Sequence, residues 1–224
     1  MSTVTLTIDN KEVTVPEGIT VLEAAKLSGI NIPTLCYLKG INEVGACRIC
    51  MVEVGNKLQA SCVYPVAEGI KVKTNTPLVR QMRKTVLELL LANHNSSCTT
   101  CVRNNSCELQ TLAKELNITE EVFERQYTTT VDDFSDSIVR DDSRCINCGR
   151  CANICNNIQN VGVLGFVHRS DRTKVGTVYD KSLAELSCIN CGQCIVNCPV
   201  GALREKDNTD LVWEALADES KYVV

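Results

Sequence analysis

The chain opens on a two-residue beat. Val4, Leu6 and Ile8 alternate with Thr5 and Thr7, Asp9-Asn10-Lys11 interrupts, and Val13 and Val15 resume the beat after Glu12. Period two places every second side chain on one face, so the pattern predicts a β-hairpin pairing 4–8 with 12–15. The period then lengthens. Thr20 and Glu23 stand three apart around Val21-Leu22, the spacing of a capping box, and Gly29 supplies a stop, which predicts a helix over 21–27. A longer helix is signalled by Thr76 as N-cap, Pro77 in the first turn, and apolar residues at 78, 79, 82, 86, 87, 89 and 90 leading to Asn93.

Weaker patterns predict short strands at 49–54 and 57–62, short helices at 108–116 and 120–126, and a hairpin pairing 161–168 with 175–179. A short helix after Ser182, which forms a capping box with Glu185, and a last helix at 210–217 follow. The stretch 128–142 holds Asp132, Asp133, Asp136, Asp141 and Asp142 and reads as a solvated acidic connector. One internal repeat is plain: C-I-N-C-G-R-C-A-N-I-C-N at 145–156 returns as C-I-N-C-G-Q-C-I-V-N-C-P at 188–199.

Composition changes this picture in one respect. Aromatic residues are only 4% of 224, thin for a large apolar core, while cysteines number fifteen. Thiolate-to-metal bonds that exist only in the folded chain add their free energy to folding and offset that shortfall. An odd count strands one thiol in any disulfide framework, and no basic-then-apolar leader or twin-arginine signal stands at the N-terminus. The longest apolar run, 86–92, is broken by Glu88 and is too short to span a bilayer. These features point to a soluble protein of the reducing cytoplasm. A net charge of -4 gives no reason to expect nucleic acid as a partner.

All fifteen cysteines and one histidine divide into four sets of four. Cys145, Cys148, Cys151 and Cys155 follow C-x2-C-x2-C-x3-C, as do Cys188, Cys191, Cys194 and Cys198. That loop places three sulfurs around one [4Fe-4S] cluster, and in a two-cluster ferredoxin the fourth cysteine ligates the other one. The expected sets are therefore Cys145, Cys148, Cys151 with Cys198, and Cys188, Cys191, Cys194 with Cys155. Pro199 follows the last cysteine as that pattern expects, whereas Asn156 takes its place in the first copy. Structural zinc, with one closed set of four ligands, demands a different partition.

His94, Cys98, Cys101 and Cys107 follow H-x3-C-x2-C-x5-C, spacing that also suits zinc; following a helix that delivers the imidazole, it reads as a third [4Fe-4S] site. Neutral imidazole in place of thiolate removes one negative charge and raises the reduction potential. Cys36, Cys47, Cys50 and Cys62 follow C-x10-C-x2-C-x11-C behind a hairpin and capped helix that suit a β-grasp domain, and read as a [2Fe-2S] site with a remodelled loop. Arg48, between two of these cysteines, either meets the cluster or faces solvent. His168 lies outside every set and reads as structural. The basic turn 168–174 reads as an exposed hairpin tip.

Taken in this order, the four sets resemble the N-terminal iron-sulfur region of [FeFe]-hydrogenases over nearly the whole chain. The phrases Q-N-V-G-V-L-G-F at 159–166 and C-I-N-C-G-Q-C-I-V-N-C-P-V-G-A-L-R-E at 188–205 are similar to that family's double-ferredoxin module. W-E-A-L-A-D-E-S-K-Y-V-V at 213–224 is similar to its entry into the catalytic domain. The resemblance implies an α+β chain of domains in series. These are a β-grasp [2Fe-2S] domain at 1–76, a small helical His-ligated [4Fe-4S] domain at 77–127, the connector at 128–142, a two-cluster ferredoxin-like domain at 143–207, and a helix at 208–224 leading onward. It implies an electron relay with one [2Fe-2S] and three [4Fe-4S] clusters, working in a multi-subunit complex. Its partners would be a C-terminal H-cluster domain and either a flavin and NAD(P)-binding subunit with its own clusters or a ferredoxin.

No catalytic residue is expected within the chain, because no cysteine is left over for an H-cluster. No G-x-G-x-x-G or P-loop is present, so any pyridine nucleotide is expected on another subunit. The first two modules also resemble the large iron-sulfur subunit of complex I and NAD-linked formate dehydrogenases, which are the rival parents. A cluster-based regulator is a reading of another class. It requires a recognition element such as a basic helix, which the sequence does not offer.

Overall fold

The N-terminal alternation pairs in register in the computed structural model, which describes residues 2–120, 122–124, 126 and 129–222. Strands β1 (Thr3–Ile8) and β2 (Lys11–Pro16) are antiparallel, with Ile8 opposite Lys11 across Asp9 and Asn10. Both turn residues have positive φ, the geometry whose twist matches a two-residue hairpin. Helix α1 (Val21–Leu27) starts on the Thr20–Glu23 capping box and buries Val21, Leu22, Ala24 and Ala25. Strands β3 (Met51–Val54), β4 (Lys57–Ala60) and β5 (Lys71–Lys73) complete a five-stranded sheet in the order β2-β1-β5-β3-β4, in which β5 runs parallel to β1. Leu6, Ile8, Val15, Val21, Ala24, Val52 and Val72 form its core.

Helix α2 (Pro77–Ala92) begins where Thr76 Oγ1 accepts a hydrogen bond from the Val79 amide, and it buries Val79, Arg83 and Leu87. Helix α3 (Glu108–Glu115) buries Leu109 and Leu112 in the cluster that contains Leu87. Described residues within 120–126 are not helical, contrary to the periodicity, while 121 and 125 lie outside the described residues. The sequence offers only two apolar residues there, Val122 and Phe123, too few to stabilise a helical nucleus.

The acidic stretch is not merely solvated. It supplies β6 (Val131–Asp132) and β7 (Ile138–Asp141). Asp132 is buried and accepts hydrogen bonds from Ser182 Oγ (2.8 Å) and the Leu183 amide (3.1 Å). Asp142 is buried between Arg140 (3.5 Å) and Lys174 (3.1 Å). Carboxylates enter an interior when such donors meet them, a pairing that local charge density does not reveal.

Single-turn helices α4 (Arg150–Asn153) and α5 (Gln193–Val196) occupy equivalent places in the two repeat copies and pack together. Between them lies the short hairpin of β8 (Gly165–Val167) and β9 (Lys174–Gly176), and β10 (Leu203–Glu205) closes the sheet β10-β7-β6. His168 Nε2 sits 2.9 Å from Asp180 at the hairpin end and is half-exposed. Helix α6 (Thr209–Ala217) is solvent-exposed along its length. Among the described residues no helix is long and apolar enough to cross a membrane.

Candidate metal centres

Each cysteine run turns on a glycine in the left-handed region. Gly149 (φ 79°) and Gly192 (φ 71°) precede α4 and α5, and a Cβ on Gly149 would lie 3.1 Å from the Phe166 ring. Asn147 and Asn190 also take positive φ. Asn147 is held there by its own side chain, which donates to the Thr173 carbonyl (3.0 Å) and accepts from the Val175 amide (3.1 Å), while its backbone N–H points at Cys145 Sγ (3.4 Å). The loop thus aims an amide at a sulfur.

These turns gather the thiols in two groups. Cys145, Cys148, Cys151 and Cys198 line one cavity, three from the first copy and one from the second. Cys155, Cys188, Cys191 and Cys194 line another, with the shares reversed. After α4 the chain widens into a π-helical turn, Ile154–Ile158, which carries Cys155. Asn156 replaces a proline here for a local reason: its Nδ2 donates to the carbonyls of Ala152 (2.8 Å) and Leu164 (2.9 Å), closing the turn. Burial pushes four of these thiols up, Cys145 to about 11, Cys148 and Cys194 to about 12, and Cys151 well above its ordinary value. Four thiols facing one space, some of them desolvated, suit a cationic occupant that releases their protons.

Cys36, Cys47, Cys50 and Cys62 are all buried. They lie at a seam: Cys50 and Cys62 belong to the core of the five-stranded sheet, and Cys36 and Cys47 to the core shared with α2, α3 and the repeat. Cys50 Sγ is 3.3 Å from Cys62 Sγ, and the Cys47 amide points at Cys36 Sγ (3.5 Å). Hydrogen bonds from Cys36 and Cys62 draw Cys47 and Cys50 below the ordinary thiol value, while Cys36 and Cys62 are pushed up. Arg48 is exposed and takes a positive φ.

His94 is buried at the end of α2, and burial lowers its imidazole to about 4, leaving it neutral. Its Nδ1 lies 2.9 Å from the Arg144 carbonyl, an acceptor only, so Nδ1 carries the proton and Nε2 keeps its lone pair for a metal. Cys98, Cys101 and Cys107 are half-buried, and Cys101 Sγ lies so close to Gly201 that a Cβ there would collide with it. Among the described residues no hydrogen bond joins His94 to these thiols, and no three candidate ligands converge as they would on a single ion. Ligands of a multi-atom cluster stand further apart than those of one zinc.

Residues without a spacing signal tie the sets together. Asn42 is fully buried; its Nδ2 donates to the carbonyls of Cys36 (2.6 Å) and Cys148 (3.0 Å), and its Oδ1 accepts from Asn153 Nδ2 (2.6 Å). Arg150 reaches the Cys36 carbonyl (3.4 Å) and holds Glu108, beside Cys107, with two bonds of 2.7 and 2.9 Å. Through Asn42, Arg150 and the His94–Arg144 bond, the segment 144–151 touches both other N-terminal sets. Replacing Asn42 with leucine takes this partner from the Cys148 carbonyl and the Asn153 amide and leaves the Cys36 carbonyl to Arg150 alone, and is expected to lower stability by about 3 kcal/mol. Urea-induced loss of visible cluster absorbance checks this; a change below about 1 kcal/mol contradicts it.

Three family models match successive parts of the chain. Residues 1–77 match a 2Fe-2S iron-sulfur cluster binding domain, 83–121 the NADH-ubiquinone oxidoreductase-G iron-sulfur binding region, and 135–204 the ferredoxin-like domain of NADH-quinone oxidoreductase subunit 3. NADP-reducing hydrogenase subunit HndD of Solidesulfovibrio fructosivorans is 45% identical over 232 residues, covering 100% of this chain and 40% of that protein. A G-type NADH-quinone oxidoreductase subunit of Rhizobium meliloti is 39% identical over 203 residues, 88% of this chain and 23% of that one. The chain therefore spans well under half the length of these two relatives. Among solved structures, a chain of an NAD+-reducing [NiFe]-hydrogenase in the H2-reduced state superposes with a TM-score of 0.86 at 30% identity, covering 92% of this chain and 88% of that one.

Proposed function

The chain belongs to the family of iron-sulfur subunits shared by NADH-quinone oxidoreductases and NAD+-reducing hydrogenases, and from that premise we propose that it is the electron relay of an [FeFe]-type hydrogenase. In outline it is an iron-sulfur electron-transfer module. The ligands we assign are Cys36, Cys47, Cys50 and Cys62 for one [2Fe-2S] cluster, and for three [4Fe-4S] clusters His94 with Cys98, Cys101 and Cys107, Cys145 with Cys148, Cys151 and Cys198, and Cys155 with Cys188, Cys191 and Cys194. One observation carries this reading: two cavities, each framed by four thiols drawn from both copies of the repeat.

Such clusters supply one-electron chemistry that no side chain of the chain offers. The protein's own residues bury eight of the fifteen thiols, aim backbone N–H groups at sulfur, fix the His94 tautomer and hold neighbouring sets in contact through Asn42 and Arg150. The domains at 1–76, 77–127 and 143–207 then act in series, the first with a β-grasp sheet. The partners are a hydrogen-activating domain and a flavin and NAD(P)-binding subunit or a ferredoxin, and fifteen free thiols suit a reducing cytoplasm. The parent as an NADH-quinone oxidoreductase is the second reading, favoured by the two family models that carry that name.

Coulometric titration of the anaerobically reconstituted chain tests the relay. Uptake of about four electrons per chain, one for each cluster, is expected. Uptake of one or two contradicts the proposal.

A further inference from the structure

The face that α2 turns inward is apolar with one exception. Val79 and Leu87 are fully buried, and Arg83, between them on the same stripe, is only 7% exposed. Its Nη2 donates to the Met51 carbonyl at 2.7 Å, next to Cys50, while Nε is buried with no partner. Among the described residues no carboxylate pairs with it. Arginine stays charged in proteins, so α2 carries a cation with no salt-bridge partner into the interior, a costly arrangement unless an anion sits beside it. Burial depresses the guanidinium, and Cys50 followed by Asp9 acts in the opposite sense.

We propose that Arg83 is the buried counter-charge of the centre held by Cys36, Cys47, Cys50 and Cys62, and that it raises that centre's reduction potential. The inference rests on the ligand assignment above. A [2Fe-2S] centre on four thiolates is anionic and gains one more negative charge on reduction, so a fixed cation nearby favours the reduced form. Arg140 provides the internal contrast. It too is buried, with an Nε that has no hydrogen-bond partner, and lines the cavity of the Cys145 set, but it has a carboxylate beside it, Asp142 at 3.5 Å, which it shares with Lys174.

The test is a redox titration of the full reconstituted chain followed by electron paramagnetic resonance. Arg83→Met is expected to shift the reduction equilibrium of the [2Fe-2S] centre at least tenfold toward the oxidised form, about 59 mV for one electron. Arg83→Lys, which keeps the charge, is expected to hold the wild-type midpoint, and the [4Fe-4S] midpoints stay put in both. Arg83→Gln, which keeps a donor for Met51, reads the same loss of charge should the methionine variant fail to assemble. A wild-type midpoint in a neutral variant, or equal shifts in the lysine and methionine variants, overturns the proposal alone. A wild-type chain without any [2Fe-2S] signal overturns the ligand assignment and this inference with it.

Discussion

Replacing Cys155 with alanine is expected to abolish the centre framed by Cys188, Cys191 and Cys194 and to spare the one framed by its own sequence neighbours. Cys155 rides on the π-helical turn that follows α4, and that turn carries its sulfur to the cavity of the second copy while Cys151 stays at the first. The Val161 and Gly162 amides both donate to the Cys155 carbonyl, at 3.0 and 3.2 Å, which fixes the backbone there. Iron content should fall by about four atoms per chain. Cys198→Ala should do the reverse, removing the centre of Cys145, Cys148 and Cys151. Mössbauer and paramagnetic resonance spectra of the two variants check the exchange; loss of the local centre in each case contradicts it.

A second large effect is expected from His94→Ala. The imidazole is the one neutral donor among the sixteen ligands we assign, held by its Nδ1–H on the Arg144 carbonyl at 2.9 Å. Truncation leaves three thiols for one cluster, and it also strands a carbonyl in an interior, at a cost of about 1–3 kcal/mol. One [4Fe-4S] signal should vanish while the [2Fe-2S] signal persists. His94→Cys should retain the cluster and lower its midpoint, because a thiolate adds a negative charge. Unchanged cluster spectra in the alanine variant remove His94 from the ligands.

Much of the molecule was legible because its signals are local. The hairpin of β1 and β2, the capped starts of α1 and α2, and the Ser182–Glu185 capping box follow from short spacings that the backbone obeys. The grouping of the repeat's eight cysteines around two cavities was legible because a C-x2-C-x2-C-x3-C run fixes the spacing of its sulfurs more strictly than a core fixes its apolar residues. Strand β5 escaped notice: three residues, Lys71–Lys73, gain their place only by pairing with β1 and β3 far away in sequence. Single-turn helices α4 and α5 were hidden inside the cysteine runs.

Asn42 gave no signal, since a lone amide in a loop looks like any turn residue until both its carbonyl partners are in place. Arg83 did leave a trace. It stands four residues from Val79 and four from Leu87, which puts it on the buried stripe of α2. The acidic run misled because charge density is a local property, whereas the donors that bury Asp132 and Asp142 come from Ser182, Arg140 and Lys174.

Every assignment depends on sixteen donor atoms serving four inorganic centres, and metal analysis tests that most directly. Anaerobically reconstituted chain should contain about 14 iron atoms with matching acid-labile sulfide, and should give both [2Fe-2S] and [4Fe-4S] Mössbauer components. Stoichiometric zinc with little iron, or iron without labile sulfide, would contradict the account.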